Sequence, residues 1–140
     1  MEIMFEVPGE PVAKGRARAS SFAGHIRMHT PQKTVNYESM VAVVAHQAMA
    51  GKPPLTGPVM LSVVAVFQPP KSWSKKLQQL NFETPQFVVK KPDFDNVLKA
   101  LCDGMNGVVW VDDSQVAVLG QCCKVYGSRP RVEVTIASLT

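Results

Sequence analysis

Residues 91–116 read KPDFDNVLKALCDGMNGVVWVDDSQV and hold five of the chain's eleven acidic residues: Asp93, Asp95, Asp103, Asp112 and Asp113. The remainder is basic, since fifteen Lys and Arg give a formal net charge of +4. Like charges about 4 Å apart repel by roughly 1–4 kcal/mol per pair, depending on the local dielectric. Carboxylates this close in sequence therefore either spread over a solvated surface or share something positive. Pro92 biases Lys91 toward extended geometry, and Asp95 or Asn96 suits a helix N-cap. Val97, Leu98, Leu101, Cys102 and Met105 then form an apolar stripe, and Gly107 offers a stop. On a second face Asp95, Lys99 and Asp103 follow at steps of four, stacked above one another, with Asp93 just ahead of the helix.

The return, GVVWVDDSQV, is an apolar run broken by Asp112 and Asp113. If residues 108–111 turn back beside the helix start, one of these aspartates joins Asp93 and Asp95. Three converging carboxylates make an oxygen-rich site suited to Mg²⁺ or Mn²⁺. A divalent ion there binds a phosphate oxygen, lowers the pKa of a bound water and stabilises charge developing on hydrolysis. Lys99, one turn along, is placed to contact the phosphate or balance the carboxylates. Blander readings of the same residues stay open. Asp95 alone is an ordinary N-cap, Lys99 with Asp103 is a helix pair worth about 0.2–0.5 kcal/mol, and VDDSQ is a polar turn. A calcium loop fails, because Val97 and Leu98 fall where a ligand and a glycine are required. An aspartyl-phosphate phosphatase would carry its D-x-D near the chain start, with a large domain after it.

Outward from this stretch, MEIMFEV alternates Ile3, Phe5 and Val7 against polar neighbours and predicts a first strand, closed by Pro8, Gly9 and Pro11. The following AKGRARASSFAGHIRMHTPQKT, rich in Gly, Ser and basic residues, predicts a long exposed loop. TVNYESMVAVVAHQAMA carries Tyr37, Met40, Val41, Val44, Ala45 and Ala48 at helical spacing and ends at Gly51 and Pro53. PVMLSVVAVFQ is a buried strand, and KSWSKKLQQLN a weaker helix capped by Ser72 or Ser74. QFVVKK is a short strand leading into the acidic stretch, and QVAVLGQCCKVYG and RVEVTIA are strands after it. Strands and helices do not alternate regularly enough for a doubly wound sheet. The expectation is a single α+β domain over residues 1–140, with one mixed sheet packed with helices.

An apolar content of 46% argues against global disorder, and a pI near 9.1 favours an acidic partner, nucleic acid being the commonest. MEIMFEVPGE has no basic segment followed by an apolar one, so no signal peptide is expected. No run approaches the roughly 18 apolar residues of a membrane span. Cys102, Cys122 and Cys123 are odd in number and contain no C-x-x-C, against a disulfide framework or a zinc site. The expected compartment is the reducing cytoplasm.

The acidic stretch closely resembles the RusA family of Holliday-junction resolvases. Asp93, Asp95, Asn96, Lys99, Asp103, Asp112, Asp113, Gln115 and Val116 match in order that family's D-x-D-N, its helix with Lys and Asp, and its D-D-x-Q-V. The segment PGEPVAKGRARASSFAGHIRMHTPQKTVNYE looks like its basic N-terminal region, while residues 51–89 match in pattern alone. The resemblance implies a RusA-like fold and a homodimer that nicks opposed strands of a four-way DNA junction symmetrically. It also implies Mg²⁺, with Mn²⁺ as a substitute, bound by catalytic Asp93, Asp95 and Asp113, with Lys99 the essential basic residue. Asn96, Asp103 and Asp112 take supporting roles. Such proteins are often carried by phages or prophages.

Lys14, Arg16, Arg18, Arg27 and Lys33, with Lys90 and Lys91 ahead of the acidic stretch, are the expected DNA contacts. Cations that neutralise phosphates supply most nonspecific affinity and make it fall steeply with salt. Phe22 is a candidate wedge at a branch point. His25 and His29 sit four apart but lack further ligands for a zinc site, and His46 is a plain helix residue. Competing readings are a catalytically silent junction-binding protein and a metal nuclease acting on flaps or other branched DNA.

Overall fold

The computed structural model describes residues 1–15, 18–22 and 24–140, with the backbone alone for Arg18, Ser20 and Phe22. Strand β1 is Glu2–Pro8, β2 Arg18–Phe22, β3 His25–His29, β4 Val59–Phe67, β5 Val116–Tyr126 and β6 Arg131–Ser138. Helix α1 is Gln32–Met49, α2 Lys75–Glu83 and α3 Phe94–Met105, and a short 3₁₀ turn, Asp113–Gln115, leads into β5.

Four strands form one sheet in the order β1-β6-β4-β5. β6 is antiparallel to both β1 and β4, whereas β4 and β5 run parallel, so the sheet is mixed as expected. The period-two pattern explains the pairing. Ile136 sits between Ile3 and Leu61, Val134 between Phe5 and Val63, and Val132 between Val7 and Ala65. These three rows are buried on one face and form the floor of the core. The parallel β4–β5 step requires a long crossover, and α2 and α3 occupy it. α3 is thereby delivered to the same core as β5.

α1 buries Thr34, Tyr37, Val41, Ala45 and Met49, successive turns of one face, while Met40 stays exposed. α3 buries Val97, Ala100, Leu101, Gly104 and Met105. The two helices touch at Gly104. A Cβ there would lie 2.8 Å from the Val41 Cβ and 2.9 Å from the Glu38 carbonyl oxygen, so only glycine allows this approach. Trp110 is fully buried, and its indole N–H donates to Asn106 Oδ1 at 2.7 Å, closing the turn after α3.

Three local expectations are corrected. The expected long loop contains the β2–β3 hairpin, paired from Arg18 opposite His29 to Phe22 opposite His25. QFVVKK makes no strand, only a single bridge between Phe87 and Val125. Pro92, which has no N–H, then ends any further pairing. α3 begins earlier than expected: Asp93, not Asp95 or Asn96, is its N-cap residue. Ser74 caps α2, accepting from the Leu77 N–H at 3.1 Å. The three cysteines are free and half-buried. Among the described residues no helix is long and apolar enough to cross a membrane.

Candidate active site

The Asp93 carbonyl accepts from the N–H groups of Asn96 (3.2 Å) and Val97 (3.3 Å), which starts α3. Its carboxylate makes no capping bond and turns instead to Lys91, whose ammonium lies 3.0 Å from one carboxylate oxygen and 3.1 Å from the other. Asp95 lies in the first turn, exposed, its Oδ1 accepting the Asn96 N–H at 2.9 Å. Both carboxylates stand at the helix end whose exposed N–H groups favour negative charge.

Lys99 is exposed one turn beyond Asp95. Cys102 follows on the same flank. Burial, reinforced by the charges of Asp113 and Asp103 and opposed by Lys99, pushes its thiol up to about 12. The 3₁₀ turn Asp113–Gln115 packs against α3, which brings Asp113 to the same flank.

The 3₁₀ turn explains how VDDSQ presents Asp113. Asp112 caps it, its carboxylate accepting the Ser114 N–H at 3.1 Å, and the Ser114 side chain first, then its N–H, hold the Asp112 carboxyl below the usual carboxylate range. Gln115 Oε1 accepts the N–H groups of Val111 (2.9 Å) and Asp112 (3.1 Å). Its Nε2 donates to the carbonyls of Leu55 (2.9 Å) and Gly57 (3.0 Å). Asp112 and Gln115 therefore build the turn, and Asp113 is the carboxylate it displays.

Asp103, one turn beyond Lys99 in α3, is engaged elsewhere. It pairs with Lys14 at 3.0 Å, and Lys14 also bonds Glu38 at 2.6 Å, with side-chain exposures of 20–25% for the three groups. The Lys14 backbone N–H donates to the Asn96 carbonyl at 2.9 Å, and the Gly15 N–H to buried Thr34 Oγ1 at 3.0 Å. Lys14 and Asp103 thus tie the strand of chain ahead of the hairpin to α1 and α3. The ammonium of Lys14, one of the expected DNA contacts, thus stands against two carboxylates.

The convergence expected of Asp93, Asp95 and Asp113 is not formed by the side chains as they stand. Among the described residues no three His, Cys, Asp or Glu groups gather closely enough to hold a metal ion. The Asp93 carboxylate is occupied by Lys91. Of the expected DNA contacts, Arg27, Lys33, Lys90 and Lys91 are exposed. Arg16 lies outside the described residues, as do the side chains of Arg18 and Phe22.

One residue with no sequence signal enters the site from β5. Lys124 donates to the carbonyls of Lys90 and Pro92, both at 2.8 Å, and so holds the segment that ends in Asp93. Only its place in a strand between half-buried Cys122 and Tyr126 could have drawn notice.

Over 140 residues the chain is 39% identical to the Bacillus subtilis (strain 168) protein named "Uncharacterized protein YqaN", covering 99% of this chain and 97% of that one. The family described as "Endodeoxyribonuclease RusA" matches residues 8–137, which include every carboxylate of the α3 flank and the 3₁₀ turn. The chain belongs to the RusA endodeoxyribonuclease family.

Proposed function

We propose that this protein is a Mg²⁺-dependent endonuclease, active also with Mn²⁺, that resolves four-way DNA junctions by paired symmetric nicks in recombination and repair. The observation that carries this reading is the order along one flank of α3. Asp93 stands at its head, then Asp95 and Lys99, and the 3₁₀ turn that carries Asp113 packs against α3. Carboxylate oxygens are the hard donors Mg²⁺ and Mn²⁺ take, and Asp93, Asp95 and Asp113 would hold the ion. When bound, it lowers the pKa of a coordinated water and offsets charge on the phosphate.

The chain's own groups do the rest. Lys91, exposed and paired only with Asp93 among the described residues, exchanges that carboxylate for a backbone phosphate when DNA arrives. Lys99 balances the carboxylates and faces the phosphate being cut. Arg27, Lys33 and Lys90, with Arg16 and Arg18, neutralise flanking phosphates. Opposed nicks require two sites related by a two-fold axis, hence a homodimer matching the junction's symmetry. Three free cysteines suit work in a reducing cytoplasm.

The test is cleavage of an end-labelled synthetic four-way junction, beside linear duplex, a flap and metal-free controls. Paired symmetric nicks on the junction alone, dependent on Mg²⁺, support the proposal. A junction bound but left intact with both Mg²⁺ and Mn²⁺ makes the protein a binding module. Equal cutting of the flap makes it a nuclease for branched DNA in general.

A further inference from the structure

Each of the three flank carboxylates needs its own support. Asp95 belongs to the first turn of α3, and Asp113 is held by the Asp112–Gln115 turn. Asp93 precedes the helix, has no capping bond of its own, and among the described residues its side chain is tied only to an exposed lysine. What fixes it is the backbone before it.

That backbone is sewn to β5. The Tyr126 N–H donates to the Gln86 carbonyl at 3.0 Å, and the Val88 N–H to the Lys124 carbonyl at 2.9 Å. The last two stitches come from one side chain: Lys124 Nζ donates to the carbonyls of Lys90 and Pro92 at 2.8 Å each. Lys124 shares a face of β5 with Cys122 and Tyr126, which pack against the core, so it rises from the helix-covered face of the sheet. Two charge-assisted bonds from one ammonium are stronger than neutral ones, and they offset the rotamer freedom a lysine loses when held. They grip the residue immediately before Asp93.

We propose that Lys124 is a positioning residue for Asp93. It fixes the main chain of residues 90–92 so that the Asp93 carboxylate stands at the head of α3 beside Asp95, and its charge eases the crowding of acids there. The proposal rests on the reading of Asp93 as a metal-holding carboxylate.

The experiment compares Lys124→Met, Lys124→Gln and Lys124→Arg with wild type and Asp93→Asn. It measures amide hydrogen exchange in metal-free protein, metal-free junction binding, and junction cleavage across a Mg²⁺ titration. In Lys124→Met, exchange is expected to quicken at residues 90, 91 and 93–95 and to stay unchanged in β1, β6 and α1. The half-saturating Mg²⁺ concentration rises by roughly 10–100-fold, the usual cost of losing a group that orients a metal ligand. The rate at saturating Mg²⁺ and the metal-free binding hold, and Arg restores the titration. Unchanged exchange at 90–95, a loss equal at every Mg²⁺ concentration, or Arg behaving as Met would each overturn it. Where Met loosens the whole fold, Gln, which keeps donors without the charge, carries the same comparison. Wild-type cleavage by Asp93→Asn would sink the catalytic reading of Asp93, and the exchange data alone would then decide whether Lys124 clamps the segment.

Discussion

Lys91 and Asp93 pair at 3.0 Å with side-chain exposures of 85% and 53%. An ion pair this open is worth at most about 1 kcal/mol, because water and salt screen it and two flexible side chains must be held. It keeps the carboxylate company and is easily given up. Lys91→Met should therefore leave thermal stability nearly unchanged and tighten metal binding in the absence of DNA, by up to about fivefold for a lost competitor of that size. Junction affinity should fall, and the slope of log affinity against log salt should drop by about 1, as for one phosphate contact. Isothermal titration with Mn²⁺ and gel shifts across a salt series measure both. Weaker metal binding in the variant would mean that Lys91 supports the site.

Asp95→Asn and Asp113→Asn each replace a charged oxygen donor with a neutral one at unchanged volume. Both carboxylates border solvent and neither anchors the fold, so the variants should fold and bind junctions without metal as wild type does. Cleavage should fall by at least about a thousandfold, since a metal's stabilisation of transition-state charge is worth several kcal/mol. Circular dichroism, metal-free gel shifts and single-turnover cleavage separate the effects. Lost binding with a native spectrum would mean that these aspartates serve recognition.

Gln115 is the keystone of the turn that presents Asp113, with four hydrogen bonds from one amide. Gln115→Ala should destabilise by about 1 kcal/mol, since water can replace most of these largely exposed bonds. It should slow cleavage as well, because Asp113 loses its frame. Asp112→Ala should do less to both. Its carboxyl is held below the ordinary range by the Ser114 side chain and then by the Ser114 N–H. The stability this adds is present above the unfolded carboxylate pKa and fades as pH falls through the folded one. Urea melts of wild type and Asp112→Ala should therefore converge in acid. A gap that widens as pH falls would contradict the cap.

The elements with strong periodicity are legible in the sequence. The stripe Val97, Leu101 and Met105 marked α3, and the alternation in β1 and β6 marked the sheet. The hairpin was not legible. Its large apolar residues Ile26 and Met28 are exposed like the rest of β3, and Gly24 turns the chain at φ +80°, so no buried face imposes a pattern. The start of α3 is misplaced by sequence because Asp95 and Asn96 have good capping chemistry, whereas the first helical N–H groups bond to the Asp93 carbonyl without any side-chain cap. Sequence also gives a lysine's charge without its partner. Lys14 belonged by composition with the phosphate ligands, yet Glu38 and Asp103 lie far from it in the chain and claim it in space.

Lys14 therefore yields a prediction opposite to that for a DNA contact. It is the cation between two carboxylates on neighbouring helices, all three groups mostly shielded from water. Lys14→Met leaves Glu38 and Asp103 facing each other without it, and should cost about 1–3 kcal/mol, between the values for exposed pairs and for hydrogen bonds to charged groups. The junction-binding salt slope of whatever remains folded should be unchanged. The bond to Glu38 first, and then that to Asp103, raises the Lys14 pKa above the ordinary 10.5 despite partial burial. A raised lysine pKa means that the stabilisation is complete below the unfolded value and is lost as pH climbs through the folded one. The stability gap between wild type and Lys14→Met should hence be constant from neutral pH to about pH 10 and shrink above it. Urea denaturation at pH 7, 9 and 11 reads this directly. A gap that stays constant to pH 11, or a salt slope reduced by one with stability intact, would return Lys14 to the DNA-binding surface.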